Sequence, residues 1–238
     1  VDIKIKQLAD IMRNSRHTVV MTGAGMDTES NIPDFRSKDG IWNKIDPMKV
    51  AHKDALEDNY DLIREFYSSR ISRLNHIKPH KGHYVLADLE DRGYVQSIAT
   101  QNVSGLHEMA GSENIYELHG NIREVICNHC KQPGTIGDIL EDRNCNNCGK
   151  RTLRPAVILF GEALPSRTWT EAAEDIEKSD LLIVIGTSLE VYPVNRFPYM
   201  ARGQIAYINM EDNREYNFDL RIIGKAGEVL GRLGEILL

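Results

Sequence analysis

Thr18 to Thr22 is an unbroken β-branched and apolar run that empties directly into Gly23-Ala24-Gly25. Such a run reads as a strand buried in a sheet, and the glycine turn at its end is its most constraining feature. Glycine takes positive φ and lets main-chain N–H groups close on phosphate oxygens. The dinucleotide fingerprint also asks for a third glycine and for an acid ~20 residues further on. Thr28 stands where that glycine belongs, and the chain continues as Ile32-Pro33-Asp34-Phe35-Arg36. This puts a carboxylate, an aromatic ring and a guanidinium in a row on a rigid extended segment, which an ordinary turn does not need.

The pattern of apolar run and polar exit returns along the chain. Val95–Thr100 exits into Gln101-Asn102 and then Val103-Ser104, and Asn114–Leu118 exits into His119-Gly120. Leu181–Ile185 exits into Gly186-Thr187-Ser188, Ile205–Ile208 into Asn209-Met210-Glu211, and Ile222–Gly224 is a short last strand. Helical spacing marks residues 3–14, a stripe at 56, 60, 63, 67, 71 and 74 within 54–76, the segment 84–90, and 226–237. Strands alternating with helices imply an α/β fold, a Rossmann-like parallel sheet with helices on both faces. Ligands of such sheets bind outside the carboxyl ends of the strands. The GAG, QN and HG exits therefore converge on one edge. There His119 is a candidate general base, because a neutral imidazole takes a proton near pH 7.

The four cysteines all lie between 127 and 148. Cys127-x2-Cys130 and Cys145-x2-Cys148 have the spacing of two knuckles on one tetrahedral zinc, and four thiolates leave no open position, so the site is structural. The module is an insertion, because a strand pattern resumes at Ala156–Phe160 before Gly161-Glu162. Residues 37–47 mix Gly, Pro and charge around Trp42 and read as a loop over whatever the first turn binds, with Trp42 either part of that cover or a packing anchor. Tyr67 and Arg70 lie one helical turn apart. His83 reads as a cap or core histidine.

A chain of 238 residues suits one large domain with a small module inserted. With 35 acidic and 29 basic side chains, the net charge of −6 argues against nucleic acid or an anionic membrane as partner and suits a basic protein or peptide. No apolar run approaches the ~20 residues of a membrane span and no signal-peptide pattern opens the sequence. The expectation is a cytoplasmic enzyme, its cysteines reduced and free for metal.

Taken together, GAG…IPDFR, TQN…LH, HG, the paired CxxC knuckles, FGE, GTS and IN-x-E resemble the sirtuin family in order and spacing. Sirtuins are NAD-dependent protein-lysine deacylases, and the resemblance is to the bacterial type. It implies a large Rossmann-like part, here 1–40, 78–124 and 156–238, and a small part from a helical insertion at 41–77 and a zinc ribbon at 125–155. It implies NAD and one structural Zn2+ as cofactors, and acylated-lysine proteins or peptides as partners. Carried over by match, Gly23, Ala24, Gly25, Asp27, Asp34, Phe35 and Arg36 belong to the nicotinamide-ribose and phosphate site, with Gln101, Asn102 and Ser104 beside them. Gly186, Thr187, Ser188, Asn209, Glu211 and Ala226 belong to the phosphates and the adenosine half.

The same resemblance makes His119 the base, working with Asn102. Ile158 to Gly161 pair with the substrate backbone and Phe160 flanks the acyl-lysine tunnel. Tyr67 and Arg70 match the Tyr-x-x-Arg pair with which some sirtuins bind succinyl- or malonyl-lysine. The family usually has Ser at 27, Gly at 31 and Asp at 104, where this chain has Asp27, Asn31 and Ser104. A hydroxyl and a carboxylate have exchanged places, and the expectation is that the two side chains lie within hydrogen-bond reach. Two other outcomes stay open at this point: an NAD hydrolase or ADP-ribosyltransferase, and a weakly active NAD-binding module.

Overall fold

A computed structural model describes residues 1–35 and 40–238; Arg36 and the start of the 37–47 loop lie outside the described residues. The strands are β1 (Thr18–Thr22), β2 (Ser97–Thr100), β3 (Ile115–Glu117), β4 (Gly120–Cys127), β5 (Pro133–Gly134), β6 (Leu153–Val157), β7 (Leu181–Ile185), β8 (Gln204–Asn209) and β9 (Leu220–Ile223). Six of them form a sheet in the order β3-β2-β1-β7-β8-β9, every pairing parallel. Every residue of β1 and β7 is buried, as uninterrupted apolar runs require in a sheet covered on both faces.

The two faces take alternate residues. Val20, Ile98, Ile183 and Ile208 pack under helices Asp2–Asn14, Lys81–Asp91 and Ala226–Leu237. Val19, Met21, Leu182 and Val184 pack on Ala172 and Ile176 of helix Ser166–Lys178 and on Phe197. From β1 the chain runs outward to β2 and β3, and later from β7 outward to β8 and β9 in the opposite direction. The order reverses between β1 and β7, and at such a reversal the loops part and leave a crevice at the carboxyl edge.

A second, antiparallel sheet has the order β5-β4-β6. Ile122, Val125, Cys127, Leu153 and Val157 of this sheet share a hydrophobic cluster with Leu56, Ile63, Tyr67, Ile71 and Leu74. The ribbon and the helical segment are therefore packed into one body. Tyr60 reinforces it by donating to the Leu153 carbonyl at 2.8 Å.

Several boundaries depart from the sequence reading. The helix expected over 54–76 is two helices, Ala55–Asp58 and Tyr60–Leu74, because Asn59 sits at φ −141°, outside helical space. The strand expected over 156–160 is Leu153–Val157. Pro155, which donates no ladder bond, is tolerated because β6 is an edge strand and the β4 pairing is irregular between Asn121 and Val125. Phe160 leaves the ladder for another partner: its N–H donates to the Ala51 carbonyl at 2.7 Å, and Lys53 N–H donates to the Phe160 carbonyl at 3.0 Å. Trp42 is a packing anchor, stacked on Phe35 with ring centroids 5.1 Å apart and facing Phe66 at 6.5 Å. The cap of helix Lys81–Asp91 is His80, whose ring accepts from Gly82 N–H at 2.9 Å, whereas His83 is a fully buried core histidine.

Candidate active site

Gly23 and Gly25 serve first to let the β1 turn pack on the β7 turn. A Cβ on Gly25 would lie 2.8 Å from the Gly186 Cα, and one on Gly23 would lie 2.6 Å from the Thr187 Cβ. The approach is closed by Gly25 N–H donating to the Gly186 carbonyl at 2.8 Å. Gly186 itself has φ +62°, which only a residue without Cβ adopts freely. Beyond the first turn the chain makes 3-10 turns over Ala24–Ser30 rather than a long helix, and Asn31 ends them at φ 62°. Asparagine tolerates this left-handed position better than most residues, which accounts for Asn31 where the family usually has glycine.

The crevice holds a cavity of about 640 Å³. From the nearer turns it takes Ala24, Gly25, Asp34, Phe35, Gln101, Asn102 and His119; from the farther ones Gly186, Thr187, Ser188, Asn209, Glu211 and Ala226. Ile158, Phe160, Gly161, Tyr67 and Arg70 line it from the ribbon side. Asp27 and Ser104 line an adjoining cavity of about 460 Å³ that shares Ala24, Phe35, Arg70 and Asn102 with the first. Gly23 lines neither, and contributes its carbonyl as an acceptor for Asn102 Nδ2 at 3.0 Å.

His119 lies between β3 and β4, with Nδ1 at 3.1 Å from the Gln101 carbonyl. A carbonyl only accepts, so Nδ1 carries the proton and the Nε2 lone pair remains for the cavity. Burial lowers the His119 pKa from its ordinary value, partly opposed by the Gln101 bond, so the ring is neutral at pH 7. Gln101 is fixed in turn, its Nε2 donating to Thr187 Oγ1 at 3.0 Å. The Thr187 carbonyl accepts from Asn209 Nδ2 at 3.2 Å. The exits of β2, β7 and β8 are thus tied to one another by side chains. The N–H groups of Thr187 and Ser188 have no partner among the described residues and remain for an anion.

Below this floor Asp27 is buried, accepting from Ser104 Oγ at 2.7 Å and from Asn102 Nδ2 at 2.8 Å, with His83 Nε2 at 3.2 Å. Residues 27 and 104 are in direct contact, as their exchange suggested. In the wall, the Arg70 guanidinium lies between two rings, 5.6 Å from the Phe35 centroid and 5.4 Å from that of Phe66. Burial lowers the Arg70 pKa, and burial pushes the Tyr67 hydroxyl up to about 12. Tyr67 is therefore a neutral donor beside a cation.

The Sir2 family model matches residues 23–193 of the chain. NAD-dependent protein deacetylase 1 of Geobacillus kaustophilus is 44% identical over 229 residues, covering 94% of each chain. The chain belongs to the Sir2, or sirtuin, family. NAD-dependent protein deacylase 2 of Archaeoglobus fulgidus is 39% identical over 242 residues, covering 98% of this chain and 95% of the other. A solved Sir2 homologue in complex with NAD superposes with a TM-score of 0.90 at 35% identity, over 98% of this chain and 93% of that one. A Sir2 protein bound to a myristoylated histone peptide superposes at 0.81 with 32% identity, over 100% and 97% of the chains.

The two CxxC knuckles meet, and all four Sγ atoms lie within 4.8 Å of one another. The Cys127–Cys148 and Cys130–Cys145 separations are 3.6 and 3.7 Å. Tetrahedral zinc with Zn–S of ~2.3 Å places its sulfurs ~3.8 Å apart, so the thiols fit that ion. Sequence reading missed the clamp on the 158–161 segment. Buried Arg154 pairs with Glu162 at 2.6 Å, and the other Glu162 oxygen accepts Leu159 N–H at 2.9 Å. The glutamate of FGE, next to an apolar run, was the available sign. Phe66 and Val103 also line the cavity and carried no motif at all.

Proposed function

We propose that this protein removes acyl groups from protein lysine with consumption of NAD, giving nicotinamide, O-acyl-ADP-ribose and the free lysine. The observation that supports this reading best is His119. It is a neutral imidazole of fixed tautomer, on the rim of a cavity that reaches from Phe35 to the phosphate-binding turn. NAD, when bound, supplies a C1′ that the acyl oxygen can attack as nicotinamide leaves, together with the ribose hydroxyls. The residues fit the group: a cavity in the ~300–1,000 Å³ range of small-ligand sites, free N–H groups at 187 and 188 for a phosphate, and Asn209 and Glu211 as polar groups farther along.

In this reading His119 Nε2 accepts a proton from a ribose hydroxyl, and the Gln101 carbonyl stabilises the charge that follows at Nδ1. Ala24 and Phe35 cover the reacting ribose and exclude water. Gly186, Thr187, Ser188, Asn209, Glu211 and Ala226 hold the phosphates and adenosine half. The Phe160 backbone is already paired with Ala51 and Lys53, so substrate backbone is left the Ile158 carbonyl and Gly161, which have no partner among the described residues. The large part comprises 1–40, 78–124 and 156–238, the small part 41–77 and 125–155, and the cavity lies between them. The free thiols suit a cytoplasmic setting; among the described residues no helix is long and apolar enough to cross a membrane. Mass spectrometry of acetylated and succinylated peptides incubated with NAD tests the reading. Release of nicotinamide without deacylated peptide would point to the hydrolase instead.

Tyr67 and Arg70 bind the carboxylate of a succinyl or malonyl group. The Arg70 guanidinium lies over both the Phe35 and the Phe66 rings, which restrains its orientation. A hydrogen bond to a charged group contributes about 1.5–3 kcal/mol, or roughly ten- to hundredfold in rate. Arg70→Met therefore lowers kcat/KM for a succinylated peptide by that factor and leaves the acetylated peptide within about threefold. Equal losses on both peptides would remove Arg70 from acyl selection.

The contact of Asp27 with Ser104 makes a second expectation concrete. Asp27→Ser strips Asn102 of an acceptor, and Ser104→Asp sets two carboxylates against each other. Each lowers kcat/KM about tenfold, while the double change recovers most of the loss, since an unsatisfied buried partner costs about 1–3 kcal/mol. Additive effects in the cycle would mean that the exchange is coincidental.

A further inference from the structure

The Asn102 side chain has two polar atoms, and the structure accounts for one of them completely. Nδ2 donates to the Gly23 carbonyl at 3.0 Å and to Asp27 Oδ1 at 2.8 Å. A carbonyl and a carboxylate accept and do not donate, so both amide protons are engaged and the flip state is set by the partners. Oδ1 is the atom left for a ligand in the cavity that Asn102 lines.

The Gly23 carbonyl alone would allow one Nδ2 bond and leave the amide free to swing; the carboxylate holds it. Asp27 is itself held from the far side, where Ser104 Oγ donates to Oδ2 at 2.7 Å and His83 Nε2 lies 3.2 Å from Oδ1. It is only 3% exposed, so its position is set by these partners rather than by water. We propose that Asp27 is a positioning residue that locks the Asn102 amide with its oxygen toward the cavity. The site then selects a ligand group that donates a hydrogen bond there, a sugar hydroxyl or a primary amide. The proposal rests on the reading of this cavity as an NAD site. A neutral amide at 27 removes the lock without removing volume. Ser104 can donate or accept, His83 can change tautomer, and an amide offers either end, so turning Asn102 over forfeits only the bond to the Gly23 carbonyl, which keeps Met26 N–H at 2.9 Å.

Calorimetric titration of NAD and of AMP into the wild type and Asp27→Asn tests this without reference to turnover. AMP carries the adenosine half but neither the second ribose nor the amide. Asp27→Asn is expected to weaken NAD about tenfold and AMP by less than about twofold, the AMP affinity reporting an intact fold. Unchanged NAD affinity in Asp27→Asn overturns the proposal, as does an equal loss for AMP. A wild type that binds AMP and not NAD overturns the cofactor reading, and the proposal with it.

Discussion

His119→Ala lowers deacylation by about a hundredfold to ten-thousandfold, the usual worth of a positioned general base, while NAD binding and the thermal transition change little. The imidazole makes one hydrogen bond to protein, from Nδ1 to the Gln101 carbonyl, and belongs to none of the hydrophobic clusters. Its loss therefore opens the cavity rather than the core. The pH profile carries a second reading of the same group. Only the neutral ring accepts a proton, so kcat/KM falls as pH drops through the His119 pKa. Burial lowers that pKa below the ordinary 6.5, which puts the acid limb below pH 6.5 rather than above it. In the alanine variant the residual rate loses this limb. A variant that deacylates at wild-type rate, or one that keeps the same limb, would remove His119 from the proton transfer.

The parts of the fold that were legible in the sequence are those where one physical demand acts alone. β1 and β7 are covered on both faces, so apolarity by itself identifies them, and their ends coincide with the predicted ones. Strand exits carry polar groups to one edge whatever the details of packing, and Ala24 and Gly25, Gln101 and Asn102, and His119 do line one cavity. Where two demands compete, the reading failed. Pro155 brings no ladder donor, yet its edge position admits it to β6, which begins three residues before the expected run. Asn59 sits in the middle of a helical stripe and breaks it by a local backbone choice that leaves the buried face intact. Helix Ser166–Lys178, unassigned from sequence, buries only Ala172, Ala173 and Ile176, too small an apolar stripe to stand out.

The candidate site divides the same way. Residues that line the cavity were legible from the strand exits and from the resemblance. Among the residues that hold them, His83 behind Asp27 carries no pattern because its partner is 56 residues away, whereas Glu162 behind the 158–161 segment has its partners within eight residues and left the FGE motif as a sign. Asp27 and Ser104 are an exception with a reason. Their exchange against the family pattern was visible in one dimension, and only a direct contact makes such an exchange cheap; the contact is there at 2.7 Å.

Cys145→Ala, or removal of zinc by a strong chelator, costs the protein its full cooperative thermal transition and its activity. Cys127 and Cys145 are buried in the same cluster as Val125, Ile139 and Leu153, together with Ile63, Tyr67 and Ile71 of the helical segment. Four thiols gathered within 4.8 Å of one another need a cation between them once ionised, since the thiolates otherwise repel at short range. Structural zinc contributes apparent free energies of about 10–16 kcal/mol in isolated knuckle peptides. That equals or exceeds the ~5–15 kcal/mol by which a whole domain is stable. The parallel sheet has two clusters of its own without cysteine, but β4 continues from His119 into Cys127 without a linker, and Ile158 N–H donates to the His119 carbonyl at 2.8 Å. Loss of the ribbon therefore unseats His119 and the 158–161 segment even where the sheet persists. The expected result is a thermal transition that is lost or broadened, together with inactivity, and one zinc per chain in the wild type by metal analysis. A metal-free protein with the full transition and full activity would show that the four cysteines hold nothing the fold depends on.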